Sequence, residues 1–357
     1  MSADTVLPPL PGAPGGPPLP SAEELLEHAV AVSLPMAVTF RGTIRREALL
    51  LRGPVGWAEF SPFPEYGDEE SSRWLAAAVE AGWQGWPEPV RDVVPVNATV
   101  PAVAAEDVGC VLAQYGDGIA AVKVKVAEHG PDGRLVPDSR QDDLDRVRRV
   151  RELLPQAAVR VDANMGWTHE QAVDVLTELE DVGLEYAEQP VPGIEPLAAL
   201  RRQLRERGVS TRIAADEAVR KETDPLAVAR ADAADLIVVK VQPLGGVRRA
   251  AAIVEAAGLD AVVSSALDTS IGLAGSAALA AHLPRLPFAC GLGTGALFAQ
   301  DVCDPAWTPS GGMLPVPGVS APEPDPVLLR AVRADAETCA WWARRVHGAH
   351  AVLAAQH

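Results

Sequence analysis

The chain has 357 residues, 48% of them apolar, with a formal net charge of -17. That charge would repel a phosphate backbone and no basic stripe offsets it, so nucleic acid is excluded as a partner; no apolar run approaches the roughly 20 residues of a membrane helix, so no span is expected. The length accommodates a barrel of roughly 200–250 residues plus a smaller module, and four scattered cysteines (Cys110, Cys290, Cys303, Cys339) without metal-site spacing fit reduced thiols in a cytoplasm.

The stretch from Met1 to Ser21 is dense in Pro and Gly but lacks the basic start, apolar centre and small-residue cleavage site of a secretory signal, so residues 1–30 read as a disordered leader. From Ala37 to Glu59, short apolar runs punctuated by glycines predict β hairpins. A loop rich in Pro and acid spans Ser61 to Glu70, Ser72 to Ala81 has helical character, and Pro87 to Pro95 reads as a linker. Residues 31–95, joined by 320–357, are expected to form an α+β capping (lid) domain, with a helix from Pro326 to about Arg345 carrying Trp341 and Trp342 back onto it.

After Val96 the pattern changes. Short β-branched runs alternate with amphipathic stretches, which is the mark of βα units and a parallel sheet. The predicted strands are Thr99–Val103, Ala121–Val126, Ala158–Asp162, Leu184–Glu188, Arg212–Asp216, Leu236–Val241, Ala261–Ser264 and, weakly, Phe288–Gly291. The segment between Lys125 and Asp162 holds a polar loop, Glu128 to Asp138, and a helix from about Asp142 to Leu154. Eight strands in regular βα repetition over residues 96–319 argue for a closed barrel over an open doubly wound sheet.

Barrel enzymes carry their chemistry at the C-terminal ends of strands. There the sequence places Lys123 and Lys125, Asp162, Glu188, Asp216 with Glu217, and Lys240. Asp162, Glu188 and Asp216 would repel one another unless a cation held them, and an all-oxygen donor set suits Mg²⁺, with Mn²⁺ as a substitute. The plain alternative is that each acid caps a helix or pairs with an Arg. In a strand of period two, Glu217 faces away from Asp216, so Asp216 is taken as the ligand. Lys123 and Lys125 share one face of their strand; desolvation and mutual repulsion are expected to lower their pKa values and leave one as a base. An edge strand with solvated lysines is the bland reading, as a salt bridge to Asp216 or Glu217 is for Lys240. Asn164, Glu217, Ser264 and Ser265 are expected to support the site or touch substrate, and the Gly291–Gly295 cluster reads either as a tight turn or as an anion cradle.

Taken together, Lys-Val-Lys at 123–125, Val161-Asp162-Ala163-Asn164, Glu188-Gln189-Pro190, Ala215-Asp216-Glu217-Ala218 and Val239-Lys240-Val241-Gln242-Pro243 resemble the muconate-lactonizing-enzyme subgroup of the enolase superfamily, over about residues 37–345 and including the lid signature Gly56-Trp57-Ala58-Glu59. The resemblance implies an α/β fold, a modified TIM-type (β/α)7β barrel with its capping domain, in which Lys125 and Lys240 flank a small carboxylate substrate and Lys123 supports Lys125. The segment Ser264 to Leu273 is similar to the o-succinylbenzoate synthase family of menaquinone biosynthesis, with Asp268 where Glu is expected. It implies a lyase that eliminates water from a cyclohexadiene carboxylate through an enediolate. The same residues also suit an N-succinylamino acid racemase or dipeptide epimerase, and a barrel that only binds is the third alternative. Monomer and homo-oligomer are left undecided.

Overall fold

The computed structural model describes residues 7–40, 43–128, 139–220 and 224–356. After a short helix α1 (Ala22–Leu26), a three-stranded antiparallel sheet forms from β1 (Val30–Phe40), β2 (Thr43–Arg52) and β3 (Trp57–Phe60). The β2–β3 turn closes with Gly53 N–H donating to Gly56 O. A Cβ on Gly53 would lie 2.1 Å from the carbonyl oxygen of Gly82, so only glycine allows the approach of the turn Glu80–Gln84 that follows the next helix. That helix, α2 (Asp68–Val79), opens on Asp68, Glu69 and Glu70, which suit the positive end of the helix dipole. It buries Trp74, Leu75 and Val79.

The strand β4 (Val93–Pro95) leads into seven parallel strands: β5 (Ala98–Val100), β6 (Ala121–Lys125), β7 (Ala158–Asp162), β8 (Tyr186–Glu188), β9 (Arg212–Ala215), β10 (Leu236–Val239) and β11 (Asp260–Val263), hydrogen-bonded in chain order. Between β5 and β11 the gap is bridged by Cys290, paired with Val96, and Gly291, paired with Ser264, both parallel. The weakest predicted strand, Phe288–Gly291, is thus the piece that brings the two edges together in an eight-position ring. Outside lie α3 (Val108–Ala113), α4 (Ser139–Leu153), α5 (His169–Glu178), α6 (Ile194–Glu206), α7 (Asp224–Arg230), α8 (Val247–Ala257) and α9 (Ser270–His282). The sheet and these helices share the large core. A separate small cluster of Tyr186, Ala214, Leu236, Val238, Val262 and Phe288 plugs the barrel interior.

The chain finishes with β12 (Met313–Pro315), α10 (Pro326–Ala331) and α11 (Ala336–Ala354). Two helices therefore stand where one was expected, broken after Ala331. Helix α11 packs along α2, and Trp342 meets Phe60 edge-on at 5.7 Å. The expected linker Pro87–Pro95 is in part strand: Val93, Val94 and Pro95 pair with β12.

The expectation of a disordered leader needs correction from Leu7 onward. Leu10 and Leu25 are buried in the main core, Ser21 and Glu24 form a reciprocal cap on α1, and His350 of α11 bonds the carbonyl of Pro20 at 3.0 Å. Pro and Gly here give a well-placed irregular path rather than disorder, because buried leucines interrupt them. The expected polar loop lies, beyond Glu128, outside the described residues.

Candidate active site

Strand register gathers the predicted charges. Lys125 is the partner of Asp162 and Asp162 of Glu188, so three strands present one row of charge at their C-terminal ends. One layer deeper the row is Lys123, Arg160 and Tyr186. Lys123 Nζ lies 3.1 and 3.2 Å from the two carboxylate oxygens of Glu188 and 3.2 Å from Asp162 Oδ2. Lys125 Nζ donates to Asp162 Oδ2 at 2.5 Å and to Asn164 Oδ1 at 2.8 Å. Arg160 turns away from this group to the other end, meeting Glu185, Asn97 and the carbonyl of Ala289.

Across the ring, Lys240 pairs with Asp216 Oδ1. Strands β6 and β10 are four places apart in sheet order, which in an eight-position ring puts Lys125 and Lys240 on facing walls. Asp216 lies just past β9, and Gln189 fixes its backbone: Gln189 Oε1 accepts from the N–H groups of Asp216 and Ala218 at 2.9 and 3.0 Å. Gln189 itself sits at φ +38°, and Asn164 and Met165 are also left-handed at +43° and +66°. Such non-glycine conformations collect where surrounding contacts over-determine the chain, commonly at functional sites.

Glu217 does not follow the alternation expected of a strand, for a local reason. The strand ends at Ala215 and the chain turns into a single 3-10 turn, so Glu217 is not bound to the opposite face. Its side chain is buried and accepts from Asn164 Nδ2 at 3.2 Å and from Arg220 at 3.4 Å. Ser264 and Ser265 are buried at the end of β11, turned toward Gly291 O and Thr294 Oγ1. A Cβ on Gly291 would meet Ser264 Oγ at 2.8 Å, so this glycine serves close packing at the barrel's closure.

The acids feel one another. Burial and the charge of Asp162 push the Glu188 carboxyl up to about 7 despite Lys123 beside it. Burial works to raise Asp216 as well, but Lys240 holds it below the usual carboxylate range. For Lys123 the expected depression is reversed: burial disfavours its charge, but Glu188 and Asp162 outweigh burial and raise its pKa. Reading two lysines as repelling neighbours left out the acids on the next strands.

Whether a cation suits this group is decided by donor chemistry. Asp162, Glu188 and Asp216 are all 6% exposed or less and supply only carboxylate oxygens, the preference of a hard divalent ion. Among the described residues no three acid, imidazole or thiol groups are drawn into a ready-made cage. Here the lysines occupy the acids, and a bound cation would compete with Lys123 and Lys240 for them. Sequence reasoning gave no role to Gln189 or Gln242; a buried amide inside an otherwise apolar strand-end motif is the signal that marks both.

The chain matches the family described as Enolase C-terminal domain-like over residues 106–322 and the one described as Enolase N-terminal domain-like over residues 31–82. It is 48% identical over 315 residues to an o-succinylbenzoate synthase of Thermobifida fusca, covering 88% of this chain and 93% of that protein. It is 47% identical over 338 residues to one of Mycobacterium tuberculosis strain H37Rv, covering 94% and 98%. In fold it is similar to muconate lactonizing enzyme from Pseudomonas putida, with a TM-score of 0.68 at 21% identity, covering 86% of this chain and 98% of that one.

Proposed function

This chain belongs to the enolase superfamily, and from that premise we propose that it acts as an o-succinylbenzoate synthase, eliminating water from 2-succinyl-6-hydroxy-2,4-cyclohexadiene-1-carboxylate. The observation that carries the reading is the pair of ammonium groups, Lys125 and Lys240, on facing walls of the mouth with buried acids between them. The relatives, at nearly half identity over almost their whole length, support the reaction.

Asp162, Glu188 and Asp216 would hold Mg²⁺, which when bound neutralises charge developing on the substrate carboxylate. Lys123, clasped between Asp162 and Glu188, is the fixed cation of its strand. Lys125 stands one layer nearer the mouth and removes the proton α to the carboxylate. Asn164 and Asp162 orient it. The same lysine then returns the proton to the departing hydroxyl, which makes a syn elimination natural for a single acid–base group. Lys240 stabilises the enediolate from the facing wall. Aromatisation of the ring drives the step, so positioning matters more than unusual acidity.

Purified protein with Mg²⁺ is expected to form o-succinylbenzoate, and Lys125→Ala to abolish it with an unchanged circular dichroism spectrum. No product from the wild type would overturn the reading. The facing lysines also fit racemisation of an N-succinylamino acid. Exchange of its α-hydrogen in D₂O with faster turnover than the dehydration would favour that reaction.

A further inference from the structure

A second cluster of buried ionisable groups lies where the lid sheet meets the barrel, and the proposed chemistry makes no use of it. Arg46 on β2 is 3% exposed and donates to three carbonyls: Leu267 O at 3.1 Å, Ser61 O at 2.5 Å and Ala266 O at 3.4 Å. Glu59 on β3 accepts from the Ser61 hydroxyl at 2.6 Å, and its other oxygen accepts from Thr269 N, Thr269 Oγ1 and Gly272 N at 3.0, 2.5 and 3.2 Å, at the start of α9. Asp268 accepts from Ala266 N at 3.2 Å and from Gln242 Nε2 at 2.9 Å. Gln242 also reaches Ser61 Oγ, 3.3 Å away.

These bonds converge on two segments of the barrel mouth. One is 264–269, which begins with Ser264 and Ser265 and contains Leu267 at φ +60°, a conformation that L side chains hold only under constraint. The other is 240–242, which begins with Lys240. The constraint on Leu267 comes from both sides of the seam: Arg46 of the lid binds the carbonyls of Ala266 and Leu267, and Asp268 folds back on Ala266 N. A guanidinium suits this duty because its planar fork donates from separate nitrogens, Nε to Leu267 O and Nη2 to Ser61 O and Ala266 O, a spread that the single nitrogen of an ammonium does not have.

We propose that Arg46, Glu59 and Asp268 are positioning residues for substrate binding: they lock the 264–269 turn and, through Gln242, the end of β10 to the lid, so that the two halves of the mouth keep one spacing. The proposal rests on the reading above, since it presumes that the mouth binds the substrate. None of the three touches the reacting groups, so the lock acts on KM more than on kcat.

The test uses the full chain with Mg²⁺. Asp268→Asn keeps the shape but cannot accept at both oxygens; Arg46→Lys keeps the charge but cannot span three carbonyls. For each, KM is expected to rise about 10-fold with kcat within about 3-fold of wild type, a split that uniform loss of binding produces. Hydrogen exchange in the peptide covering 264–273 is expected to quicken about 10-fold at the same time, as local opening becomes easier. Ser61→Ala, which removes one hydroxyl and spares the charges, is the milder variant should the others fold poorly; it should move both readouts in the same direction. Faster exchange with unchanged KM would reduce the cluster to a structural brace. Unchanged exchange would remove the lock altogether. A wild type inactive on the cyclohexadiene would instead overturn the functional reading, and the claim about KM with it, while exchange still judges the lock.

Discussion

At the barrel mouth, Lys125, Asp162 and Glu188 are register partners on three adjacent strands. At the lid seam, Arg46 reaches Leu267 across 221 positions of sequence. Both regions bury ionisable groups with several hydrogen bonds each. The mouth leaves Lys125 and Lys240 at 17% and 23% side-chain exposure, open to a ligand, whereas the seam closes over Arg46, Glu59 and Asp268 at 4% or less. Charge that is meant to meet a substrate stays partly reachable, and charge that joins two parts of a fold does not. The seam also repeats its device: Glu80, directly after α2, accepts from Val247 N and Arg248 N at the start of α8, as Glu59 does at the start of α9. Each lid carboxylate takes the positive end of a barrel helix.

The sharpest way to break this contrast is Lys125→Ala. Loss of one group that serves first as base and then as acid should cost on the order of 10⁴-fold in kcat while the melting temperature stays within a few degrees; a variant that unfolds would move Lys125 from the reactive to the structural side. The converse holds at the seam, where Arg46→Met leaves Glu59 and Asp268 buried without their cation. Urea unfolding should show a loss of about 3–5 kcal/mol, and a loss below about 1 kcal/mol would mean that the seam is as loosely held as a surface pair. Glu188→Gln should weaken Mg²⁺ binding by about 100-fold in calorimetry, at least what an outer partner of a metal ligand is worth. Equal affinity would take Glu188 out of the proposed ligand set.

The smallest effect is one of pH. Burial, then the neighbouring Asp268, pushes the Glu59 carboxyl from 4.5 up to about 7. The folded chain therefore keeps a proton between those values that the unfolded chain has lost. Glu59's contribution to stability is fully present below about pH 4.5, declines as pH rises toward about 7 and is level above it. Glu59→Gln, which mimics the protonated form, should gain on the wild type as pH rises from 5 to 8 in thermal melts. Parallel curves would show that this glutamate is fully compensated at every pH.

Much of the mouth was legible in the sequence because period-two alternation and repeated βα spacing are local signals. They fix which strand ends carry Asp162, Glu188 and Lys240 before any contact is known. The direction of the Lys123 shift was not legible, because it depends on acids one and two strands away. Nor was the seam: an arginine in a hairpin strand and an aspartate after β11 carry no spacing that joins them, and only the docked lid does. Phe288–Gly291 was faint since its pairing is a bridge on each side, too brief to impose a pattern on residue choice. The α10–α11 break was missed because Val332 to Asp335 offers no proline or glycine; the signal present was Asp335, whose carboxylate accepts from Thr338 N at 2.8 Å and starts the second helix afresh.

The path from Leu7 to Pro20 has a practical consequence. Its carbonyl at Pro8 is held by Arg249 at the start of α8, its carbonyl at Pro20 by His350 in the last helix, and Leu10 fills a gap in the shared interior. It behaves as a belt buckled at both ends, with prolines that keep the free belt short of alternatives. A cloning boundary set at Val30 would cut the belt away together with Leu25 and bare the greasy surface beneath. The trimmed product would be prone to clump, and an engineer wanting a tag at this end should add it ahead of Leu7.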